Sequence, residues 1–183
     1  MVKTCEKKAF SVIEIVVVMI VVTILAAVAM VKFGSYDTLK LDAAARKIAS
    51  DIRYAQHCRM ARQQIVWIDF DNTNNKYSLR REGCNGTYPL ITDPFTKENL
   101  EVNFTSGEFQ GINITNASFP YGASQSEDLG FNDSLGRPKS LTFGGSLCTT
   151  FPSMTGTGSV SISYKGRTKT IYVEVETGEV SIQ

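Results

Sequence analysis

The sequence predicts an α+β fold: a long N-terminal helix, membrane-spanning in its first half, packed on antiparallel β-sheet. Three observations predict it. From Phe10 to Val31 the chain runs 22 residues that are apolar except at Ser11, Glu14 and Thr23. Beyond that run, apolar residues keep recurring at helical spacing as far as about Arg62. From Gln64 onward the period falls to two, and turn residues punctuate the chain.

The apolar run comes first. At about 1.5 Å rise per residue it makes roughly 33 Å of helix, enough to cross a bilayer core of about 30 Å. A secretory signal peptide has an apolar region of about 7–15 residues followed by a small-residue cleavage site, so this run reads as a membrane anchor. The preceding residues hold Lys3, Lys7 and Lys8 against Glu6. That positive excess places the N-terminus in the cytoplasm and everything after Val31 across the membrane. Glu14 is the anomaly, because an acid at mid-membrane depth costs about 2.5–3.5 kcal/mol on insertion scales. Position alone leaves two readings, a carboxylate snorkelling to the headgroups and a functional group.

The helical pattern continues through "LKLDAAARKIASDIRYAQHCRMARQQ". Leu41, Ala45, Ile48, Ile52 and Ala55 form one apolar stripe of an amphipathic helix. Gly34 is the one interruption, at a place for a bend. The expected element is one helix from about Ser11 to Arg62. Next, "QIVWIDF" and "KYSLRR" flank "DNTNN" and read as a β-hairpin. "DFDNTNNKYSLR" lacks the Gly at position six and the Glu at position twelve of an EF-hand loop, so its Asp and Asn read as turn chemistry. Residues 83–139 are loop-rich, with short strands expected at "LEVNF", "INITNASF" and "LGFND". Five N-x-[ST] triplets, at Asn85, Asn103, Asn113, Asn116 and Asn132, read as composition. The C-terminal third alternates clearly in "SLTFGG", "GSVSISYKG", "RTKTIYVEVE" and "EVSIQ", with hairpin turns near Gly166 and at Thr177-Gly178. No internal repeat and no phosphate-binding Gly loop is present.

The word "KKAFSVIE" resembles the class III signal of type IV pilins and pseudopilins: a basic leader, a small residue, Phe, then Glu at the fifth mature position. The resemblance implies that a prepilin peptidase cuts between Ala9 and Phe10 and methylates the new amine of Phe10. It implies that Glu14 meets the terminal amine of a neighbouring subunit during assembly. The expected layout is a leader at 1–9, a transmembrane helix at 10–33 and a periplasmic domain at 34–183, helical to about 62 and β thereafter. Further along, "SDIRYAQHCRMARQQ" followed by "IVWIDFD", then "SLGRP" and "YVEVETGEVSI", are similar to minor pseudopilins of the FimT/GspH type. The implied fold is pilin-like and the implied role structural. The implied partners are other pilin or pseudopilin subunits, the prepilin peptidase and the inner-membrane assembly platform. No cofactor is implied. The implied location is the inner membrane, crossed once, and then a filament.

The chain has 183 residues, 20% of them charged and 43% hydrophobic, as expected for one globular domain plus an anchor. Net charge is +1, and removing a leader with three Lys and one Glu (+2) leaves −1, so no global basic footprint points to nucleic acid. His57 is the only histidine, which leaves little for a histidine triad or a multi-imidazole metal site. Cys5 falls in the leader. Cys58, Cys84 and Cys148 lie beyond the membrane, where disulfides persist, and allow one bridge and one thiol. Cys58 follows Ala55 by three on the apolar stripe, favouring a buried thiol, and Cys84 and Cys148 sit in turn-like sequence and are the expected pair. The first hairpin also returns Cys84 toward Cys58, so a Cys58–Cys84 bridge stays open.

Three functions compete. A structural filament subunit is expected from the leader, Glu14 and the stripe. DNA is the second partner considered, because some FimT-type pilins take up DNA with a C-terminal Gly-Arg-x-Arg segment. Here the matching stretch is "GRTK", and an extended "KGRTK" would set Lys165, Arg167 and Lys169 in a row at about 7 Å per step. Lys169 stands where the second Arg would be and lacks its bidentate fork. A membrane-anchored enzyme is the third, and no Ser, Cys, His or paired-carboxylate constellation has diagnostic spacing, so none is expected.

Overall fold

The computed structural model describes residues 11–82, 87–94, 96–122, 124–139 and 153–183, with side chains throughout except at 28–35 and 124. The chain divides into two units, Met1–Thr38 and Leu39–Gln183, and helix α1 (Val12–Arg62) contributes to both. The α+β class expected from the sequence is the class observed.

In the second unit α1 buries the stripe read from the sequence. Leu41, Ala45, Ile48, Ile52 and Ala55 are all at most 2% exposed, with Ala44 and Ala49 beside them. The helix stops at Arg62 because Gln63 turns into the left-handed region at φ 53°. Its N–H bonds the Arg59 carbonyl at 3.0 Å, closing the last turn. Arg59 and Arg62 in that turn complement the negative end of the helix dipole.

Two sheets take up the rest. The first has the order β3-β2-β1-β6, built from β1 (Val66–Asp71), β2 (Lys76–Arg81), β3 (Glu101–Asn103) and β6 (Leu129–Phe131). The second has the order β5-β4-β7-β8-β9, built from β4 (Asn113–Tyr121), β5 (Ser124–Ser126), β7 (Gly158–Tyr164), β8 (Arg167–Val173) and β9 (Val180–Ile182). Every pairing is antiparallel. The "DNTNN" segment is a turn as expected: Asp71 accepts from the backbone N–H and side-chain amide of Asn74 at 2.8 and 2.6 Å. The three short strands expected between residues 83 and 139 correspond to β3, β4 and β6. Strand β5 was not expected, and "SLTFGG" lies outside the described residues.

Alternate residues of both sheets meet α1 in one core. Val66, Ile68 and Phe70 point inward from β1, and Val160 and Ile162 from β7. The Phe70 and Phe119 rings stack at 5.9 Å, joining the first sheet to the second. Asp51 on α1 is 5% exposed, and its carboxylate accepts from the Tyr77 hydroxyl and the Lys47 ammonium, both at 2.7 Å. Burial first, then the Asp51 charge, pushes the Tyr77 hydroxyl well above its ordinary pKa, so it stays a donor. Gln56 is a second tie, donating to the Gly136 carbonyl at 2.9 Å and the Thr177 carbonyl at 2.8 Å. Arg53 adds a bond to the Val180 carbonyl at 2.8 Å.

Gly158 lets the Phe119 ring lie against the backbone of β7. A Cβ there would stand 2.9 Å from Phe119 Cε1 and closer still to Cδ1. Gly158→Ala is therefore expected to lower stability by about 1–3 kcal/mol, the usual cost of overpacking a core. At Gly156 the nearest atom to an added Cβ is 3.5 Å away, so Gly156→Ala is the matched control and should be close to neutral. Thermal unfolding of the two variants side by side checks the difference.

Candidate assembly and binding surfaces

The first unit offers one surface, a bare apolar helix. Its start is set by the Ser11 carbonyl, which accepts from the N–H groups of Glu14 at 3.0 Å and Ile15 at 3.3 Å. Glu14 thus sits in the first turn, where a carboxylate meets the positive end of the helix dipole. From Val12 to Leu25 the large apolar side chains are 48–79% exposed, so no face of this segment is covered by its own chain. The Thr23 hydroxyl is satisfied internally, bonding the carbonyls of Met19 at 3.0 Å and Ile20 at 2.8 Å. Among the described residues no helix is long and apolar enough to cross a membrane, and the side chains described continuously from Val12 end at Ala27. Ala9 and Phe10, the expected cleavage residues, lie outside the described residues.

The basic segment near the C-terminus is arranged differently from the extended row expected. Lys165 stands in the turn between β7 and β8, not in a strand. Positive φ at Lys165 (47°) and Gly166 (78°) marks a two-residue primed turn, whose twist matches the strands it joins. Tyr164 and Arg167 pair across it. Lys165 consequently leaves the register of Arg167 and Lys169, and its ammonium folds over the Tyr164 ring at 5.2 Å. Lys40 reaches the same ring at 5.2 Å and bonds the Gln110 carbonyl at 2.8 Å. Lys169 shares the β8 face of buried Ile171 and Val173 and pairs with Asp42 of α1 at 3.2 Å. Arg137 and Lys139 flank Pro138, which packs by Gly178 at the far end of β8, so they do not extend the basic segment. The result is an exposed hairpin tip with Lys165 and Arg167, and Lys40 nearby.

Cys58 is buried and unbridged, and Cys84 and Cys148, the expected disulfide pair, lie outside the described residues. Among the described residues no three His, Cys, Asp or Glu side chains are grouped to hold a metal ion. A cavity of about 190 Å³ opens beside α1, lined by Lys47, Ser50, Asp51, Tyr54, Asp93, Pro94 and Leu100. Its central carboxylate, Asp51, is already engaged by Tyr77 and Lys47, which makes it part of the helix–sheet tie. Sequence reasoning missed Gln56 and Asp51, because their partners lie 121 and 26 positions away on loops and strands.

The fold has solved counterparts. The chain is similar to the minor pseudopilin EpsH from the type 2 secretion system of Vibrio cholerae, with 11% identity and a TM-score of 0.54 over 79% of this chain and 96% of that one. The type IV minor pilin FimU of Pseudomonas aeruginosa aligns with 13% identity and a TM-score of 0.46 over 80% of this chain and 90% of that one. No protein-family model and no curated protein matches the sequence. The likeness to EpsH shows a pilin-like fold.

The Lys169–Asp42 pair is about one-third exposed on both sides, a setting in which ion pairs contribute little. Lys169→Ala is expected to change the unfolding free energy by less than about 1 kcal/mol. Chemical denaturation measures this.

Proposed function

We propose that this chain is a minor pilin or pseudopilin, a non-catalytic subunit that a prepilin peptidase processes between Ala9 and Phe10 and that then joins a periplasmic pseudopilus or a type IV pilus. The reading rests on one observation above the others. A pilin-like domain carries at its N-terminus a helix that is apolar on every face and interrupted by a single acid, Glu14. A helix hydrophobic all round belongs in a membrane or inside a large assembly. The apolar run of the sequence, Phe10 to Val31, supports both in turn: the inner membrane before assembly and the filament interior after it.

Glu14 gives the move from one to the other a chemical reason. Cleavage after Ala9 creates an ammonium at Phe10, one helical turn from Glu14. In a low-dielectric surround an unpaired charge is costly, and opposite charges attract strongly. A carboxylate on one subunit and an amine on the next then favour lateral docking over dispersal in the lipid. The domain from Leu39 onward is carried to the periplasmic side by the positive leader. Other subunits and the inner-membrane assembly platform are the partners this requires.

Two measurements test it. Intact-mass analysis of membrane-extracted protein is expected to show a chain beginning at methylated Phe10, and recovery of only the full-length chain from cells with an active peptidase would exclude processing. Glu14→Ala is expected to insert and be cleaved normally yet fail to crosslink into filaments. Crosslinking equal to wild type removes Glu14 from the docking step.

DNA is the second reading, favoured by the clustering of Lys40, Lys165 and Arg167 at one hairpin tip. Three cations on a nearly neutral chain release few counterions, so weak binding or none is expected in a low-salt shift assay. If duplex DNA does bind there, Arg167→Ala should lower the slope of log K against log salt by about one unit, whatever the sequence. Tight binding abolished by Arg167→Ala would put DNA uptake first.

A further inference from the structure

The outer face of the first sheet, away from α1, holds a polar pocket that a filament role does not use. Strands β1 and β6 pair with Ile68 opposite Leu129, both fully buried in the core. One step outward, that register sets Asp69 opposite Asp128 on the other face. Like charges directly opposite each other on neighbouring strands are destabilising. Here Asp128 is half-buried with Asp69 beside it, and both push Asp128 toward its protonated form. Arg80 on β2 pairs with the other carboxyl, its Nε 3.3 Å from Asp69 Oδ2.

The pair borders a cavity of about 230 Å³ lined by Trp67, Asp69, Arg80, Tyr88 and Asp128. Trp67 faces away from the main core yet is only 2% exposed. Part of its cover is Tyr88, whose ring meets the indole edge-on at 5.3 Å. Arg80, paired with Trp67 across the strands, also donates to the Tyr88 carbonyl at 3.4 Å. Asp128 itself lies between β5 and β6, where the chain passes from the second sheet to the first. Its backbone is held by the Ser126 hydroxyl, which accepts from its N–H at 3.0 Å, and by the Tyr121 hydroxyl, which donates to its carbonyl at 3.3 Å.

We propose that Asp69 and Asp128 form a proton-operated latch on this sheet, closed while Asp128 is protonated and released when it ionises beside Asp69, so that the Trp67 pocket opens. The charged and titratable groups facing Asp128 are Asp69 from β1, Arg80 from β2, Tyr121 from β4, Tyr88 across the pocket and its neighbour Glu127. Burial is the main cause that raises Asp128, followed by the charge and hydrogen bond of Asp69 and the charge of Glu127, with Arg80 opposing them. Together they push its pKa up to about 6. A carboxyl raised in the folded state gives stability that is full below its unfolded pKa near 3.8 and lost as pH rises through about 6. The latch is therefore closed in acid and open above neutrality, within the range a compartment in contact with the outside experiences. The latch stands independently of any role in a filament.

Trp67 is the only tryptophan in the chain, so it reports on its own pocket. In the full-length protein in detergent, its emission is expected to shift to the red in a single-proton transition centred near pH 6 as water reaches the indole. Asp128→Asn, which keeps the shape and stays neutral, is expected to hold the acid-side spectrum from pH 5 to pH 8. Asp69→Asn removes the neighbouring charge and is expected to move the transition to lower pH, though not to the ordinary carboxylate range, because burial still raises Asp128. His57→Gln, the control for the one histidine, should leave the transition in place. Emission that does not change between pH 5 and pH 8 overturns the latch, as does a transition that survives Asp128→Asn or vanishes with His57→Gln. If Asp128→Asn does not fold, a transition unmoved by Asp69→Asn is sufficient to reject it.

Discussion

The narrow alanine face of the outer half of α1 is the constraint on which the domain rests. Ala44, Ala45, Ala49 and Ala55 are completely buried in the core that the helix shares with both sheets. Leu41, Ile48 and Ile52, flanking those alanines, fill the gaps, each giving about 1.5–3 kcal/mol for leaving water. Hydrophobic burial alone would let the helix slide or rotate. Asp51 resists it, because its buried carboxylate oxygen must meet the Tyr77 hydroxyl, and an unmade bond there would leave two buried polar groups without that partner. Small buried residues line the helix face, and Asp51, Gln56 and Arg53 together hold its register.

The same helix is written for two different surroundings. In the second unit it has one buried face and one polar face. From Val12 to Ala27 every side chain is exposed, and two of the polar groups there are dealt with individually: Thr23 bonds back to its own helix and Glu14 sits against the helix start. The residue pattern changes between Val31 and Leu41 while α1 continues through it as one helix.

Much of this was legible in the sequence because it is local. The switch from a helical period to alternation is visible in the chain, and the structure turns from α1 to β1 between Arg62 and Val66. "DNTNN" and Thr177-Gly178 declared their turns through residues that accept local side-chain bonds or positive φ. What the sequence hid is non-local or weakly patterned. Ser124–Ser126 is too short and too polar to read as a strand, and only pairing with β4 makes it one. Lys165 looked extended because its neighbours are strand formers, and the primed turn took it out of register. Asp69 and Asp128 are 59 positions apart, so no spacing rule connects them (128 − 69). Gln56 looks like any surface glutamine until the loops at Gly136 and Thr177 arrive beside it.

The two sheets are not built from consecutive strands. The first takes β1, β2 and β3, gives up the chain for β4 and β5, and recovers it only for β6. One edge of β1 therefore stays open until residues 129–131 exist to close it, and β4 waits still longer for β7 at 158–164. For a chain delivered from its N-terminus, this means that neither sheet can finish before most of the domain has emerged. Pairings between distant segments slow folding, to milliseconds or seconds in small domains rich in such contacts. During that interval the edge of β1 is exposed to every other unfinished chain nearby. The interleaving that makes the finished domain cooperative thus imposes a vulnerable period on its birth.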